Sequence, residues 1–387
     1  MEYLLTESQN KLKDLAYSIA VEKIKPVRAE YDEREIFPWP IIKDLVNNGL
    51  FGIHIPKEYG GGGESILSVV LITEQLSRIC GGIAMAFSVN TFTSSPIIHY
   101  GTEEQKQKYL PAIAKGQKIT SFSITEKDAG SDLGAIQCTA IKDGDYFILN
   151  GEKQWIINAG EAEIYIVVFV TDPERSTRSA AAFIIEKDTP GFTFGPKDNK
   201  MGIRASTTRN LIFNDCRVHK NQMLGKIGQG FSIANQAFIS AGRPAMSSQA
   251  LGIAQGALDE AVAYSQQRIQ FKQKIGNFQA VQNILADIST QIETARSALY
   301  HLCRLIEAGE KNYTKLASMV KVLCSDAAVK ATTDAVQVFG GYGYLKEYPV
   351  EKMMRDAKVT QIYEGTNQIH RNIIAAEMFK EYSKGNH

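Results

Sequence analysis

The spacing of apolar residues changes twice along this 387-residue chain, near residue 119 and near residue 229. Leu12, Leu15 and Ile19 recur at helical spacing in the first part, and Leu251 and Leu258 do so in the last. Between the two changes the apolar runs are short and β-branched, and turn residues separate them. The pattern predicts a multidomain α+β protein. We expect an N-terminal helical domain over 1–118, a central antiparallel β-barrel or sandwich over 119–228 and a C-terminal four-helix bundle over 229–387.

One turn is predicted inside the β domain. The run 146–149 (YFIL) meets Asn150 and Gly151, and an Asn-Gly pair between apolar runs is typical of a tight β-hairpin. A strand over 146–149 that reverses direction at this pair is therefore expected.

Composition excludes several classes of function. The net charge is +1, so nothing indicates a nucleic-acid partner, and no apolar run approaches the roughly 18 residues of a membrane span. Five cysteines and six histidines are scattered without metal-ligand spacing, so we expect no metal site and a reducing compartment. The N-terminal residues do not have the pattern of a signal peptide, and the expected location is cytoplasmic, or an organelle matrix after processing.

A single carboxylate near the C-terminus is the main candidate for catalysis. Glu364 follows Ile362 and Tyr363 and directly precedes Gly365. Apolar neighbours that remove water would raise the pKa of this carboxylate and make it a better base near neutral pH. The alternative is a solvated glutamate on a helix-capping loop, and the residues of this motif do not decide between the two.

Six motifs in a fixed order resemble those of the acyl-CoA dehydrogenase family, and the resemblance covers essentially the whole chain. The motifs are 122–132 (FSITEKDAGSD), 151–160 (GEKQWIINAG), 200–204 (KMGIR) followed by 215–218 (DCRV), 268–271 (RIQF) with 278–279 (FQ), 337–343 (QVFGGYG) and 363–366 (YEGT). Each motif alone is a weak signal, whereas six in order are specific.

The resemblance implies FAD as the cofactor. On one subunit it implies contacts from Phe122, Ile124, Thr125, Ser131, Trp155, Ile157, Thr366 and Gln368. From a neighbouring subunit it implies contacts from Arg268, Gln270, Phe271, Phe278, Gln279, Gln337, Val338, Gly340 and Gly341. This division implies a homotetramer built as a dimer of dimers. Taken singly, Trp155 is equally compatible with plain core, and Arg268 taken singly fits a solvated charge better than a cofactor contact.

The resemblance also implies a reaction. Glu364 would remove the α proton of an acyl-CoA thioester while the β hydrogen leaves as hydride to the flavin, which yields a trans-2-enoyl-CoA. The electrons would pass to an electron-transferring flavoprotein. Substrate contacts are expected from Ser88, Thr91, Ser131, Ser240, Arg243, Tyr363 and Gly365.

The acyl group is expected to be short, branched or cyclic. Family members that bind a terminal carboxylate carry Arg where this chain has Ile83, which disfavours a glutaryl-type substrate. Ser88 and Thr91 make the helix that contains them polar, although their hydroxyls could instead face other helices.

Two positions depart from the family pattern. Ile157 stands where a hydroxyl residue usually bonds near flavin N5, so we expect a shifted flavin potential or a backbone substitute. Ser240 stands where Asp is frequent, which puts one CoA contact in doubt.

Three other functions stay open. An enoyl-CoA reductase would run the reverse reaction with an electron-transferring flavoprotein, and an oxidase would pass electrons to oxygen. A non-catalytic protein that binds acyl-CoA or flavin is the third, and the presence of Glu364 disfavours it.

Overall fold

The computed structural model describes residues 3–174 and 176–385, and its first part is helical. Helix α1 begins after Thr6 and α6 after Thr102, each in a capping box with a glutamine three residues on. The helices of this part are α1 (Glu7–Ile19), α2 (Arg28–Arg34), α3 (Trp39–Asn47), α4 (Ile66–Ile79), α5 (Gly81–Tyr100) and α6 (Glu103–Ala114). Helix α5 is buried along nearly its whole length, which explains its lack of a polar face.

The middle part forms an eight-stranded sheet. Its strands are β1 (Thr120–Ser123), β2 (Thr139–Asp143), β3 (Tyr146–Ile157), β4 (Ile164–Val170), β5 (Ala180–Glu186), β6 (Phe192–Lys197), β7 (Thr208–His219) and β8 (Met223–Leu224). The spatial order is β6-β7-β3-β2-β4-β5-β8, and β1 pairs with β4 outside this path.

The sheet is mixed rather than purely antiparallel. Strand β1 runs parallel to β4, with Thr120 opposite Ile164 and Phe122 opposite Ile166. A parallel pair needs a long connection, and β2 and β3 supply it because both lie between β1 and β4 in the chain. The sequence pattern contains no signal for this crossover.

The hairpin predicted at Asn150 and Gly151 is wrong. Strand β3 continues through both residues to Ile157, and the reversal between β2 and β3 occurs earlier, next to Gly144. The Asn-Gly pair instead coincides with a register shift against β7, where Gly151 has φ 127°. Asn150 stabilises this bulge, because its Oδ1 accepts the backbone N–H of Asp215 at 2.8 Å.

The last part is helical again. It contains α7 (Gly230–Ala237), α8 (Arg243–Gln267), the short hairpin β9 (Ile269–Gln270) and β10 (Gln273–Lys274), α9 (Gln279–Glu307), α10 (Thr314–Phe339), α11 (Pro349–Lys358) and α12 (Asn367–Gly385). A short π-helix, Phe238–Gly242, joins α7 to α8.

Helix α8 is the centre of the molecule, because it packs on α4 of the first part as well as on α9 and α10. Two glycines permit the close contact with α4. A Cβ at Gly252 would lie 2.3 Å from the carbonyl oxygen of Glu74, and one at Gly256 would lie 2.0 Å from that of Arg78. The N-terminal and C-terminal helices therefore share one apolar core, to which β4 and β5 also contribute.

The predicted fold class is confirmed: helical, β and helical parts follow in the expected order. Within residues 3–174 and 176–385, no helix is long and apolar enough to cross a membrane. The same residues contain no group of three or more His, Cys, Asp or Glu side chains that could hold a metal ion.

Candidate active site

Glu364 lies in a tight turn between α11 and α12. Both Glu364 (φ 54°) and Gly365 (φ 92°) adopt left-handed backbone conformations, which is uncommon for a residue with a side chain. Helix α12 then begins, and the Thr366 hydroxyl accepts the backbone N–H of Ile369 at 3.2 Å. The turn directs Glu364 into a cavity rather than along a helix surface.

Two opposing effects bring the pKa of the Glu364 carboxyl close to neutral pH. Burial raises the pKa, the positive charges of Arg243 and Lys321 partly offset the increase, and the resulting pKa is about 7. Oε2 is buried and has no hydrogen-bond partner among the described residues. The backbone of Gly242 lies against it, since a Cβ there would come within 2.7 Å of Oε2. This carboxylate can therefore accept a proton at neutral pH.

Two further polar side chains, Arg243 and His370, lie near this residue. Arg243 is buried, and its Nη1 donates to the Ser318 hydroxyl at 3.2 Å. Burial lowers the pKa of Arg243, and Glu364 opposes that shift. Nε2 of His370 lies 2.9 Å from the carbonyl oxygen of Glu364, and burial lowers the pKa of this imidazole to about 4.

Another part of the cavity lining comes from β1, β3 and the loop after β1. A register shift between Lys153 and Ile156 turns Trp155 into the left-handed region (φ 58°) and leaves 58% of it exposed. The backbone N–H of Gln154 donates to the carbonyl of Thr125 at 2.9 Å, which joins β3 to the loop. The bulge thus places a large indole ring at the cavity.

A buried ion pair supports this side from behind. Lys153 is fully buried, and its Nζ lies 2.7 Å from Oε1 of Glu126 and 3.2 Å from the carbonyl of Ile124. The same carboxylate accepts the backbone N–H groups of Gln137 and Cys138 at 2.7 and 3.0 Å. These bonds fix the loop that carries Thr125.

The cavity between the two sides has a volume of about 1140 Å³. We call Arg243, Tyr363, Glu364, Gly365 and His370 the helical wall. We call Phe122, Ile124, Thr125, Trp155 and Ile157 the β wall. Apolar side chains from α5, α7 and the π-helix also line the cavity, and we call this group the closed end: Met85, Val89, Phe92, Phe231 and Phe238.

The described residues fit a flat, largely apolar ring with polar edges. The β wall offers apolar and aromatic faces beside the Thr125 hydroxyl. Six cavity-lining side chains also bury a polar atom without a hydrogen-bond partner in the described chain: Gln154, Asp198, Ser206, Arg243, Glu364 and His370. Buried polar groups normally have partners, so these atoms are compatible with a ligand that supplies them.

Most residues predicted for the first subunit meet at this cavity. They are Phe122, Ile124, Thr125, Ser131, Trp155, Ile157, Arg243, Tyr363, Glu364, Gly365 and Thr366. Gln368 is exposed on α12 and does not line it.

Ser88, Thr91 and Ser240 also lie outside the cavity lining. Their hydroxyls donate to carbonyls of their own helices: Ser88 to Met85, Thr91 to Phe87 and Ser240 to Gln236. Polar residues in a buried helix satisfy themselves in this way, so these hydroxyls have partners without a ligand.

The residues predicted to come from a neighbouring subunit form a separate group on the bundle. Arg268, Gln270, Val338, Gly340 and Gly341 line a second, shallower cavity of about 450 Å³. Near this group Phe271 is 87% exposed, and Gln279 and Gln337 are exposed at the ends of α9 and α10. Phe278 is partly buried and packs edge-on against Phe271. None of these residues lines the first cavity.

Sequence reasoning missed three residues of the site: Lys321, His370 and Phe238. A lysine or histidine within a helical pattern usually lies on a solvated face, and a phenylalanine usually lies in the core. Only the fold shows that these residues meet at Glu364 or at the closed end of the cavity.

Models of three acyl-CoA dehydrogenase domains match the chain: the N-terminal domain at residues 6–117, the middle domain at 121–216 and the C-terminal domain at 228–379. The chain therefore belongs to the acyl-CoA dehydrogenase family, a family of oxidoreductases, and the predicted family and enzyme class are confirmed.

Full-length relatives carry related names. The chain is 44% identical to an acyl-CoA dehydrogenase of Bacillus subtilis, over 96% of this chain and 98% of that protein. It is 42% identical to a short-chain-specific acyl-CoA dehydrogenase of Clostridium acetobutylicum, over 98% and 100%. It is also 42% identical to an acryloyl-CoA reductase (NADH) of Anaerotignum propionicum, over 98% and 96%.

Solved structures agree with the fold. Butyryl-CoA dehydrogenase from Megasphaera elsdenii superimposes with a TM-score of 0.95 at 40% identity, over 98% of this chain and 100% of that one. A chain from a study of the electron transferring flavoprotein of Acidaminococcus fermentans gives 0.95 at 45% identity, over 98% and 99%. An acyl-CoA dehydrogenase from Bacillus anthracis complexed with FAD gives 0.93 at 34%, over 99% and 70%. FAD is the cofactor that the motifs predict, and that prediction is confirmed for the family.

Proposed function

We propose that this chain is an FAD-dependent dehydrogenase that oxidises the α,β bond of a short acyl-CoA thioester, with Glu364 as the base. The observation that supports this most is the Glu364 carboxylate. It lies in the wall of a large cavity, its pKa is raised to about 7, and the β wall of the same cavity is largely apolar and aromatic.

Glu364 takes the α proton in this reaction. A base works best when its pKa is near the working pH, and burial supplies that match here. The backbone N–H of Glu364 donates to no group among the described residues, so it is free to donate to the thioester oxygen as negative charge develops there. The base and one oxyanion donor thus come from the same residue.

The β wall would hold the flavin ring. Trp155 and Ile157 offer apolar faces, and Thr125 offers a hydroxyl, while Lys153 and Glu126 keep their loop in place. When bound, FAD accepts the hydride that leaves the β carbon of the substrate. Glu364 and the β wall line the same cavity, and in the proposed reaction the proton would leave toward Glu364 and the hydride toward the β wall.

The closed end of the cavity favours a short acyl group. Phe238 packs against Phe122 with ring centroids 5.2 Å apart and against Phe92 at 6.4 Å. Met85 and Val89 complete an end that carries no charged side chain. An apolar, short acyl chain fits this end, whereas a terminal carboxylate would be buried without a partner. The butyryl and short-chain names of the relatives point the same way.

The residues around the second cavity support a proposal about partner subunits. Arg268, Gln270, Phe271, Gly340 and Gly341 are grouped away from the first cavity, as expected if they complete the cofactor site of another subunit. A homotetramer arranged as a dimer of dimers is therefore proposed. An electron-transferring flavoprotein is the proposed electron acceptor, supported by the related chain from the Acidaminococcus study.

The test is anaerobic bleaching of the bound flavin by a panel of saturated acyl-CoAs from propionyl to octanoyl, with isobutyryl and glutaryl included. Butyryl-CoA and its nearest neighbours should bleach the 450 nm band fastest, and glutaryl-CoA should not bleach it. A protein that retains no flavin, or whose flavin no acyl-CoA reduces, would contradict the proposal.

A reductase is the second candidate, because a full-length relative is named acryloyl-CoA reductase. The same residues would serve, since Glu364 would then return a proton to the α carbon. Rates of flavin reduction by butyryl-CoA and of flavin reoxidation by crotonyl-CoA, each measured with an electron-transferring flavoprotein, separate the two directions.

A further inference from the structure

A buried lysine holds the turn that carries Glu364. Lys321 projects from α10, and only 2% of it is exposed. Its Nζ donates to the carbonyl oxygen of Gly365 at 2.6 Å and to Oδ1 of Asn367 at 2.9 Å. Both acceptors lie within three residues of Glu364.

The bonding of this lysine is unusual for a buried ammonium group. A buried charge needs strong partners, and most buried lysines find a carboxylate. Lys153 and Lys352 do so, with Glu126 and Asp356. Among the described residues, Lys321 has no carboxylate within ion-pair distance, and it takes its partners from the catalytic turn instead.

The turn has a second support on its other side. Nε2 of His370 lies 2.9 Å from the carbonyl oxygen of Glu364, and because a carbonyl only accepts, Nε2 carries the hydrogen. The carbonyls of the two left-handed residues, Glu364 and Gly365, are thus each held by a side chain. Left-handed backbone at Glu364 persists only if such contacts fix it.

We propose that Lys321 is a positioning residue for the base: its Nζ fixes the Glu364–Gly365 turn through the Gly365 carbonyl, and its positive charge favours the ionised form of the Glu364 carboxylate. The proposal rests on the proposed role of Glu364.

The charges around the pair agree with this role. Arg243 and Lys321 lower the pKa of Glu364 against burial, and His370 and Tyr363 are the other titratable groups beside it. Burial lowers the pKa of Lys321 to about 7, and Glu364 and Asp326 raise it, while Arg243 and Arg371 lower it further. Removing Lys321 should therefore raise the pKa of Glu364.

The test compares Lys321→Met, which keeps the length but removes charge and donors, with Lys321→Arg, which keeps the charge. Lys330→Met is the matched control, because Lys330 is on the same helix but is solvent-exposed and pairs with Asp334. Flavin reduction by butyryl-CoA is followed from pH 5.5 to 9 in single turnovers, with flavin content and KM measured alongside.

In Lys321→Met the maximal reduction rate should fall about tenfold or more, since a small displacement of a catalytic group can cost up to about 10²-fold. The acid limb of the rate profile should move upward by about one pH unit, the size of effect that one nearby opposite charge produces. Lys321→Arg should retain the position of the acid limb even if its rate is lower, and Lys330→Met should match the parent.

The proposal would be overturned if Lys321→Met had the same reduction rate and the same acid limb as the parent protein. If Lys321→Met does not fold, Lys321→Gln, which is neutral but retains a donor, takes its place, and an unshifted acid limb in that variant would overturn the proposal equally. A parent protein that is not reduced by any acyl-CoA would instead overturn the proposed function, so the two failures are distinguishable.

Discussion

The helical wall and the β wall differ in the charge that they present to the cavity. The helical wall brings Glu364, Arg243 and His370 to the cavity, with Lys321 behind the turn, and Glu364 has no contact ion pair among the described residues. Behind the β wall, Lys153 and Glu126 neutralise each other away from the cavity, and the wall itself is uncharged. Perturbed carboxylates concentrate where protons are moved. The comparison assigns proton transfer to one wall and ring binding to the other.

Substitution at Glu364 should produce the largest effect and should leave the β wall intact. Glu364→Gln keeps the shape of the side chain but removes the base, so flavin reduction by butyryl-CoA should slow by about 10²- to 10⁴-fold. Flavin content should stay at the parental level, because the amide does not touch the β wall. Loss of flavin in this variant would show that the two walls are not functionally separate.

Substitution at Lys153 should destabilise the β wall. Lys153→Met leaves Glu126 buried without its cation, which costs about 3–5 kcal/mol of stability. Thermal unfolding should occur at lower temperature and flavin should dissociate more readily. Lys142→Met is the control, since Lys142 is exposed on the neighbouring strand β2. If Lys153→Met binds flavin as tightly as Lys142→Met, the ion pair does not support the β wall.

Enlarging the closed end should change the length of the acyl chain that the protein prefers. Phe238→Ala removes a ring that contacts Phe92 and Phe122, and the optimum should move from butyryl-CoA toward hexanoyl- or octanoyl-CoA. Each methylene that becomes buried is worth about 0.8 kcal/mol, or roughly fourfold in kcat/KM. Ser88→Ala is the control, because among the described residues its hydroxyl bonds only within α5. An unchanged profile in Phe238→Ala would show that the acyl chain ends elsewhere.

The smallest effect is expected at Ile157, where the β wall lacks the usual hydroxyl. The backbone carbonyl of Ile157 accepts a hydrogen bond from the Ser121 hydroxyl at 2.6 Å. This hydrogen bond is made within the protein and not to the cofactor. Ile157→Thr adds a donor beside the ring and should raise the flavin potential by about 10–30 mV, which corresponds to one hydrogen bond for a two-electron couple. An equal potential in both proteins, measured by dye equilibration, would remove Ile157 from the explanation.

The overall architecture was accessible from sequence because it depends on periodicity. Helical spacing at Leu251 and Leu258 and the short run 164–170 each reflect burial on one face or on both. The parallel pairing of β1 with β4 was not accessible, since strand pairing across about 40 residues leaves no local pattern. The Asn150-Gly151 pair misled because a bulge and a hairpin use the same residue types.

The site could be predicted from the sequence only where its residues lie in a recognisable motif. Glu364 and Trp155 lie in segments with a distinctive order of residues, so both could be placed at a cavity in advance. Ser88 and Thr91 could not be assigned from polarity alone, because a buried hydroxyl satisfies itself on its own helix. Lys321 is 43 positions away from Glu364 in sequence, and only the packing of α10 against the turn brings them together.

The most direct test of Glu364 as the base is the pH dependence of single-turnover flavin reduction in the parent protein and in Glu364→Gln. Because burial raises the pKa of this carboxyl, the base is protonated and inactive below that value and ionised above it. The parental rate should therefore rise through an acid limb near pH 7, and the limb should be absent from the residual rate of Glu364→Gln. A parental rate that is flat from pH 5.5 to 9, or the same limb in both proteins, would contradict the assignment.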